Sequence, residues 1–278
     1  MAEVKSAGSK SQGSRAGQPK NSNDLLKNFL VIVAMIAIAE LIFFFVLGSP
    51  SNFLDEEMHK PKNMLGNMFL GGFVVPILMG TALTLFYYVF ERAMTIFKAK
   101  GKMGATVFVR KVQYHLANKN LDAAVAECDK QAGSVGNVMR AGLLKYREMI
   151  DNHELETEQK KAAIQESIEE ATALELPVLE KNLVFLSTIA SVATLVGLFG
   201  TVLGMIRAFS AMATAGAPDG AALAAGISEA LINTALGIGT SAIAIISYNF
   251  FTTIIDGITF GIDESGFTLT QNFVANYK

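Results

Sequence analysis

Four long apolar runs dominate the sequence and restrict what the chain can fold into. They cover residues 29–47, 65–90, 183–206 and 230–255, and Glu40 is the only charged residue within them. A helix needs about 20 apolar residues to cross a hydrocarbon core about 30 Å thick. Helices in the core of a soluble protein are shorter and carry a polar face. The runs therefore predict an all-α membrane protein with four transmembrane helices.

The composition agrees with a membrane protein and excludes several other classes. Only 17% of the residues are charged, whereas soluble domains average about a quarter. No basic stripe with interleaved aromatic residues is present, which argues against a nucleic-acid partner. The single cysteine, Cys128, cannot form an internal disulfide and lies in a charged segment, which favours a reducing compartment. Ser49-Pro50-Ser51 follows the first run instead of a cleavage site, so the run is predicted to remain as an anchor.

Basic residues are distributed unevenly around the four runs. Five precede or begin the first run: Lys5, Lys10, Arg15, Lys20 and Lys27. Six follow the second run: Arg92, Lys98, Lys100, Lys102, Arg110 and Lys111. The turn between the third and fourth spans, residues 212–220, has none. Because basic segments stay on the cytoplasmic side of a membrane, both termini are predicted to be cytoplasmic.

The segments between the runs complete the predicted organisation. We expect a disordered basic tail (1–27), a first span (28–48), an outer segment (49–64), a second span (65–90), a cytoplasmic helical region (91–180), a third span (181–212), an outer turn (213–220), a fourth span (221–255) and a cytoplasmic tail (256–278). The last two spans are expected to extend into the cytoplasmic region as long helices. In that region Ile164, Ile168 and Ala171 form one narrow apolar stripe, which favours packing on neighbouring helices over a partner-docking face.

Glycine is spaced regularly in the third span. Gly197, Gly200 and Gly204 lie three and four residues apart in LVGLFGTVLGMIRAF, so one side of the helix is nearly free of side chains. Membrane helices associate closely at such stripes, and glycine otherwise costs about 1 kcal/mol in a helix relative to alanine. Gly237 of the fourth span is assigned to the same packing. This stripe predicts close helix contact but specifies no function.

The fourth span carries an ionisable residue at membrane depth. In a helix that begins near residue 221, Glu229 lies about 12 Å below the outer surface. Intramembrane carboxyl groups by default mark an ion or proton pathway. Two other interpretations stay open: a carboxyl hydrogen-bonded for packing, or a helix that begins lower and places Glu229 at the headgroups.

Two hydroxyl groups lie at neighbouring depths in the predicted hairpin. Thr201 and Thr234 fall about 16 Å and 20 Å below the outer surface, so with Glu229 they are candidates for a protonatable relay. Asn233 shares the helix face of Glu229, whereas Thr234 is turned about 140° from it. Thr234 is therefore expected to face another helix or subunit.

The strings GLFGTVLGMIRAF and GISEALINTALG together resemble the paired signature of the MotA/TolQ/ExbB proton-channel family. The resemblance implies a homopentamer in the bacterial inner membrane, with its outer segments in the periplasm, surrounding a dimeric single-span partner of the ExbD type. It also implies a TonB-like protein as a further partner. The function that it implies is to convert the proton-motive force into mechanical work for TonB-dependent outer-membrane transport. By position, it makes Glu229 the key glutamate, Thr201 and Thr234 the pore threonines, and assigns the titrating aspartate to the partner.

Glu229 favours the ExbB/TolQ branch over flagellar MotA, which resembles this hairpin but lacks that acid. The family's usual member has three spans, so the first run is an addition. Glu40 within it is interpreted as an interfacial or helix-contact residue in preference to a second residue of the ion path. Three alternatives stay open: a TolQ-like stator, a gliding or motility stator, and a non-conducting scaffold. An intramembrane hydrolase is disfavoured because no histidine or aspartate lies in the runs.

The remaining candidate residues predict no catalytic or metal site. His59, His115 and His153 lack metal-ligand spacing. No cofactor is expected other than the coupling ion, with protons favoured over sodium and with membrane lipid as a partner. Arg207 is expected to extend toward the outer headgroups, with Asp219 or a partner acid as alternative ion-pair partners.

Overall fold

The computed structural model describes residues 22–55, 60–214 and 220–277, and in these ranges the regular structure is helical apart from one isolated bridge between Phe53 and Pro61. The α-helices are α1 (Ser22–Ile42), α2 (Met64–Phe69), α3 (Val74–Ala99), α4 (Ala105–Ala117), α5 (Leu121–Gln131), α6 (Gly133–Asp151), α7 (Thr157–Glu180), α8 (Leu183–Thr214) and α9 (Gly220–Asn276). Four stretches are long and apolar enough to cross a membrane. The predicted all-α membrane fold with four spans is confirmed. The basic residues of 1–21, together with His59 and Asp219, lie outside the described residues.

The additional first span packs against α3. Helix α1 begins at Ser22, so residues 22–27, which were predicted to belong to a disordered tail, are helical. The Asp24 carboxylate favours this start because it lies in the first turn, and it is also paired with Lys181 at 2.9 Å. Deeper in the span, Gly80 of α3 lets Ile36 approach closely, since a Cβ at residue 80 would lie 3.0 Å from that side chain.

The outer end of the first span is closed by side-chain hydrogen bonds. The span finishes in a π-helical turn (Phe43–Leu47), and a short 3-10 turn follows (Pro50–Asn52). The Asn52 amide donates to the carbonyls of Val46 and Leu47 at 2.7 and 3.0 Å. These bonds satisfy carbonyl groups that a helix end leaves without intrahelical partners.

The second apolar run is interrupted near its outer end. It was predicted as one span over 65–90, but α2 ends at Phe69 and α3 begins at Val74 and runs to Ala99. The physical reason is Gly72, whose φ of +75° is a left-handed conformation that breaks the helix and strongly favours glycine. We call residues 71–73 between these helices the α2–α3 corner.

Helices α8 and α9 form an antiparallel hairpin whose interface is lined by small residues. A Cβ at Gly197 would lie 3.0 Å from the Cα of Gly237, and one at Gly204 would lie 2.9 Å from the carbonyl oxygen of Gly226. A Cβ at Gly200 would lie 2.6 Å from that of Asn233. Each of these glycines therefore allows a closer approach of the two helices than a larger residue would.

Of the two hairpin helices, α9 continues into a helical bundle beyond the apolar hairpin, whereas α8 begins at Leu183 and does not extend there as was expected of the third span. Helix α9 spans 57 residues without a break, so the segment predicted as a tail at 256–278 is helical as far as Asn276. Ile164 and Ile168 of α7 are buried, and a Cβ at Gly142 or Gly266 would lie 2.8 or 3.1 Å from the Ile168 side chain. The predicted packing of the apolar stripe on neighbouring helices is confirmed.

A buried arginine fixes the place where α7 meets α8. Arg92 is 1% exposed and donates to the carboxylate of Glu91 at 2.6 and 2.7 Å. Its remaining nitrogen lies 3.4 Å from the carbonyls of Val178 and Leu179, at the C-terminal end of α7. A cation at this position compensates the negative end of the helix dipole. Asn182, with a φ of +63°, then separates the two helices.

The only cysteine is expected to react slowly while the chain is folded. Burial raises the pKa of the Cys128 thiol to about 12. An exposed thiol has a pKa of about 8.5, so at pH 8 the reactive thiolate should be on the order of a thousandfold scarcer in the folded chain. Maleimide labelling in mild detergent, compared with labelling in SDS, measures this difference. Equal rates in the two detergents would contradict the buried position of α5.

Candidate functional site

Glu229 is the buried ionisable residue of the α8–α9 hairpin. It lies nine residues after the start of α9, about 14 Å along the helix, and is 8% exposed. The Arg207 guanidinium of α8 forms an ion pair with its carboxylate. Arg207 lies seven residues before the end of α8, about 10 Å along it, so the two charges fall at similar depths. The structure thus pairs Arg207 with Glu229, a partner that was not among the expected ones.

The α2–α3 corner lies against this ion pair. A Cβ at Gly72 would lie 2.6 Å from Oε1 of Glu229 and 2.9 Å from Nη1 of Arg207. The neighbouring Phe73 ring lies 5.7 Å from Cζ of Arg207, within cation–π range. The corner therefore brings bare backbone against the carboxylate and an aromatic ring against the guanidinium.

Asn233 extends the polar cluster one helical turn further along α9. Its side chain is fully buried, and its Nδ2 donates to the carbonyl of Gly71 at 3.0 Å. A carbonyl only accepts hydrogen bonds, which fixes the orientation of the amide and leaves Oδ1 as the free acceptor. Among the described residues, no group donates to this buried Oδ1. Arg207, Glu229 and Asn233 thus form one polar column against the α2–α3 corner.

The two predicted pore threonines make hydrogen bonds within their own helices. The Thr201 hydroxyl donates to the carbonyl of Leu198 at 2.5 Å, and the Thr234 hydroxyl donates to that of Ala230 at 3.2 Å. Both side chains are partly exposed. Thr201 also lines a shallow concavity on the outside of α8, together with Met205, Ile206 and other residues of that helix.

Helix geometry places the threonines and the carboxylate on different flanks of the hairpin. Gly200 and Asn233 lie in the interface between the two helices. Thr201 directly follows Gly200, and Thr234 directly follows Asn233. Each residue of a helix is rotated about 100° from the residue before it. Because α8 and α9 are antiparallel, both threonines are rotated toward the same flank of the hairpin. Glu229 lies about 140° from Thr234 around α9, on the other side of Asn233. The chain therefore presents its threonines on one flank and directs its carboxylate toward the α2–α3 corner on the other.

Other candidate sites are weaker in the described part of the chain. No group of three or more metal-binding side chains occurs there. Glu40 in α1 is partly buried, and it makes no ion pair with another described residue. The polar column is accordingly the best candidate for an ion-binding function.

Comparison with known proteins assigns the hairpin and its polar column to a family. The description of that family is "MotA/TolQ/ExbB proton channel family", and it matches residues 131–264. The Tol-Pal system protein TolQ of Pseudomonas aeruginosa is 30% identical over 174 residues, which are 57% of this chain and 75% of TolQ. The chain belongs to this family. It is therefore a multi-pass protein of the bacterial inner membrane, related to proton-channel energy transducers.

Other relatives match mainly a shorter region. The TolQ protein of Haemophilus influenzae is 44% identical over 75 residues, 27% of this chain and 33% of that protein. The biopolymer transport protein ExbB of Pseudomonas putida is 44% identical over 72 residues, 26% of this chain and 22% of its own length. The chain thus spans a third or less of these two proteins, and both branch names, TolQ and ExbB, occur among its relatives.

The sequence did not predict the α2–α3 corner or the ion pair of the site, and it predicted the position of Asn233 but not its role. The corner was missed, although adjacent glycines within an apolar run are a signal for a helix break. The ion pair was missed because Arg207 lies just outside the third run and was expected to extend toward the outer headgroups or to pair with Asp219 or a partner acid. Asn233 was placed on the face of Glu229 but not given a role, although an amide within an apolar helix requires a hydrogen-bond partner.

Proposed function

We propose that this chain is the pentameric stator of an energy transducer and uses the proton-motive force for TonB-dependent outer-membrane transport. Its termini are cytoplasmic in this proposal, and its partners are an ExbD-like single-span dimer inside the pentamer and a TonB-like protein. Glu229 is the protonatable group of the chain, and Thr201 and Thr234 face the partner spans. No cofactor takes part besides the coupling ion.

One observation carries this proposal: Glu229 is a buried, ion-paired carboxylate in a hairpin of two apolar helices, each long enough to cross a membrane, that the family match covers. Such a group is costly in a membrane and is kept by default for ion transfer. The exposed flank with Thr201 and Thr234 supports an external helix as their neighbour, since their side chains are not enclosed by the subunit itself. The driving force is adequate, at about 2.3 kcal/mol per charge for 100 mV.

Native mass spectrometry of the chain, alone and with an ExbD-like protein from the same cell, tests the assembly. We expect a species of five copies that takes up two copies of the partner. A monomer or dimer without affinity for the partner would refute the stator. A pentamer that selects a TolR-like over an ExbD-like protein would favour the TolQ-like alternative, which the 30% identity to a TolQ protein supports.

A further inference from the structure

We propose that Glu229 switches between two partners of its own chain: Arg207 when the carboxylate is charged and Asn233 when it is protonated. This inference deepens the proposed function, because it assigns positioning roles to two residues of the path. It rests on the ion pair, on the buried acceptor one turn away, and on the corner that touches both residues of the pair.

The structure shows the arrangement that a charged Glu229 requires, with its carboxylate paired with a cation. The guanidinium of Arg207 donates to Oε1 of Glu229, and Gly72 leaves no room for a side chain above them. Among the described residues Arg207 is the only charged group in contact with this carboxylate, since the α2–α3 corner consists of two glycines and a phenylalanine. A buried carboxylate without such a partner would be strongly unfavourable.

The protonated state has a partner that the charged state cannot use. A protonated carboxyl carries one O–H donor, and Oδ1 of Asn233 is a buried acceptor without a donor. Residues four apart on a helix lie side by side, with Cβ atoms about 5–6 Å apart. The new O–H of Glu229 therefore reaches Oδ1 by a side-chain rotation, while Nδ2 of Asn233 keeps its bond to Gly71.

The Arg207 side chain can extend to the outer membrane surface when Glu229 is protonated. The proton binds the carboxylate, the guanidinium keeps its own charge, and the pair changes from net neutral to one positive charge. The Arg207 side chain is 48% exposed and lies within about 10 Å of the outer end of α8. Long basic side chains near helix ends extend to the membrane surface. Release of Arg207 from beneath the corner thus couples proton uptake to movement at the outer face.

Infrared difference spectroscopy of the purified pentamer in lipid bilayers tests the switch directly. The band of the protonated Glu229 carboxyl is the one that disappears in Glu229→Gln. We expect Asn233→Leu, and the smaller Asn233→Ala, to move this band to higher wavenumber, because the carboxyl loses its hydrogen-bond acceptor. Asn249→Leu, at an exposed position of the same helix, should leave it unchanged. An unshifted band in both folded Asn233 variants would overturn the proposal.

Gradient-driven transport gives the second readout. Asn233→Leu should reduce transport about tenfold, the order of effect of one lost hydrogen bond. Arg207→Gln should reduce it at least as much, and Arg207→Lys should restore most of the loss because it keeps the charge. Arg140→Gln, which breaks an exposed pair with Asp129, serves as the control. Failure of Arg207→Lys to restore transport would count against the role of Arg207 as a counter-ion.

The two readouts separate this inference from the proposed function. If Glu229→Gln transported normally, the transducer function of Glu229 would be wrong, yet the band shift would still show whether Asn233 accepts a hydrogen bond from the protonated carboxyl. If transport required Glu229 but the carboxyl band were unshifted in the Asn233 variants, the proposed transducer function would be supported and the proposed switch would be rejected.

Discussion

Replacement of Glu229 by glutamine should abolish gradient-driven transport while the pentamer still assembles. Glutamine keeps the shape of the side chain and accepts a hydrogen bond from Arg207, but it cannot bind and release a proton. Removal of a proton-transfer group commonly costs about 10²-fold or more in rate. Uptake of a TonB-dependent substrate, in cells whose own copy of the gene is replaced, measures the loss, and native mass spectrometry checks assembly.

The matched control for this variant is Glu264→Gln, on the same helix but outside the apolar hairpin. It should transport as the unaltered chain does. The comparison separates the two classes of function that the sequence left open. A non-conducting scaffold would assemble and work with glutamine at position 229, so near-normal uptake in Glu229→Gln would reject the transducer in favour of the scaffold.

The fold of the spans could be predicted from sequence because hydropathy alone decides it. An unbroken apolar run of about 20 residues has few stable alternatives to a membrane helix, and three of the four runs lie within continuous helices. The second run is not one continuous helix, because the helix breaks at two adjacent glycines although the residues around them are apolar. The φ of Gly72 depends on what the corner packs against, and that information is not in the run itself.

The position of Glu229 along its helix could be predicted, because α9 begins within one residue of the predicted start, but the direction of its side chain within the bundle could not. Depth follows from counting residues along a helix, whereas direction depends on which neighbouring element meets that face. Arg207 and Gly72 come from other parts of the chain, 22 and 157 residues away from Glu229. The predicted relay of Glu229 with Thr201 and Thr234 rested on depth, and the rotation of about 140° between Glu229 and Thr234 was itself predicted from helix geometry. The structure adds the α2–α3 corner as the neighbour of the carboxylate.

Replacement of Gly72 by alanine should be the most damaging single change at the corner. A left-handed backbone costs a residue with a Cβ about 1–2 kcal/mol, and overpacking of a tight contact adds about 1–3 kcal/mol. Both penalties apply here, because φ is +75° and the new Cβ would lie 2.6 Å from Oε1 of Glu229. We therefore expect a loss of stability of about 2–5 kcal/mol, measured as a lower thermal midpoint of the detergent-solubilised pentamer.

Gly257→Ala is the control for this change, since a Cβ at that position of α9 meets open space and alanine favours a helix. It should leave the midpoint unchanged or raise it slightly. The Gly72 variant should also weaken the Arg207–Glu229 pair, because the side chain intrudes directly on both charged groups. A second substitution, Glu229→Gln, should then cost less stability in the Gly72→Ala chain than in the original one. Strictly additive losses would mean that the corner and the ion pair are independent, and that the corner does not hold the carboxylate in place.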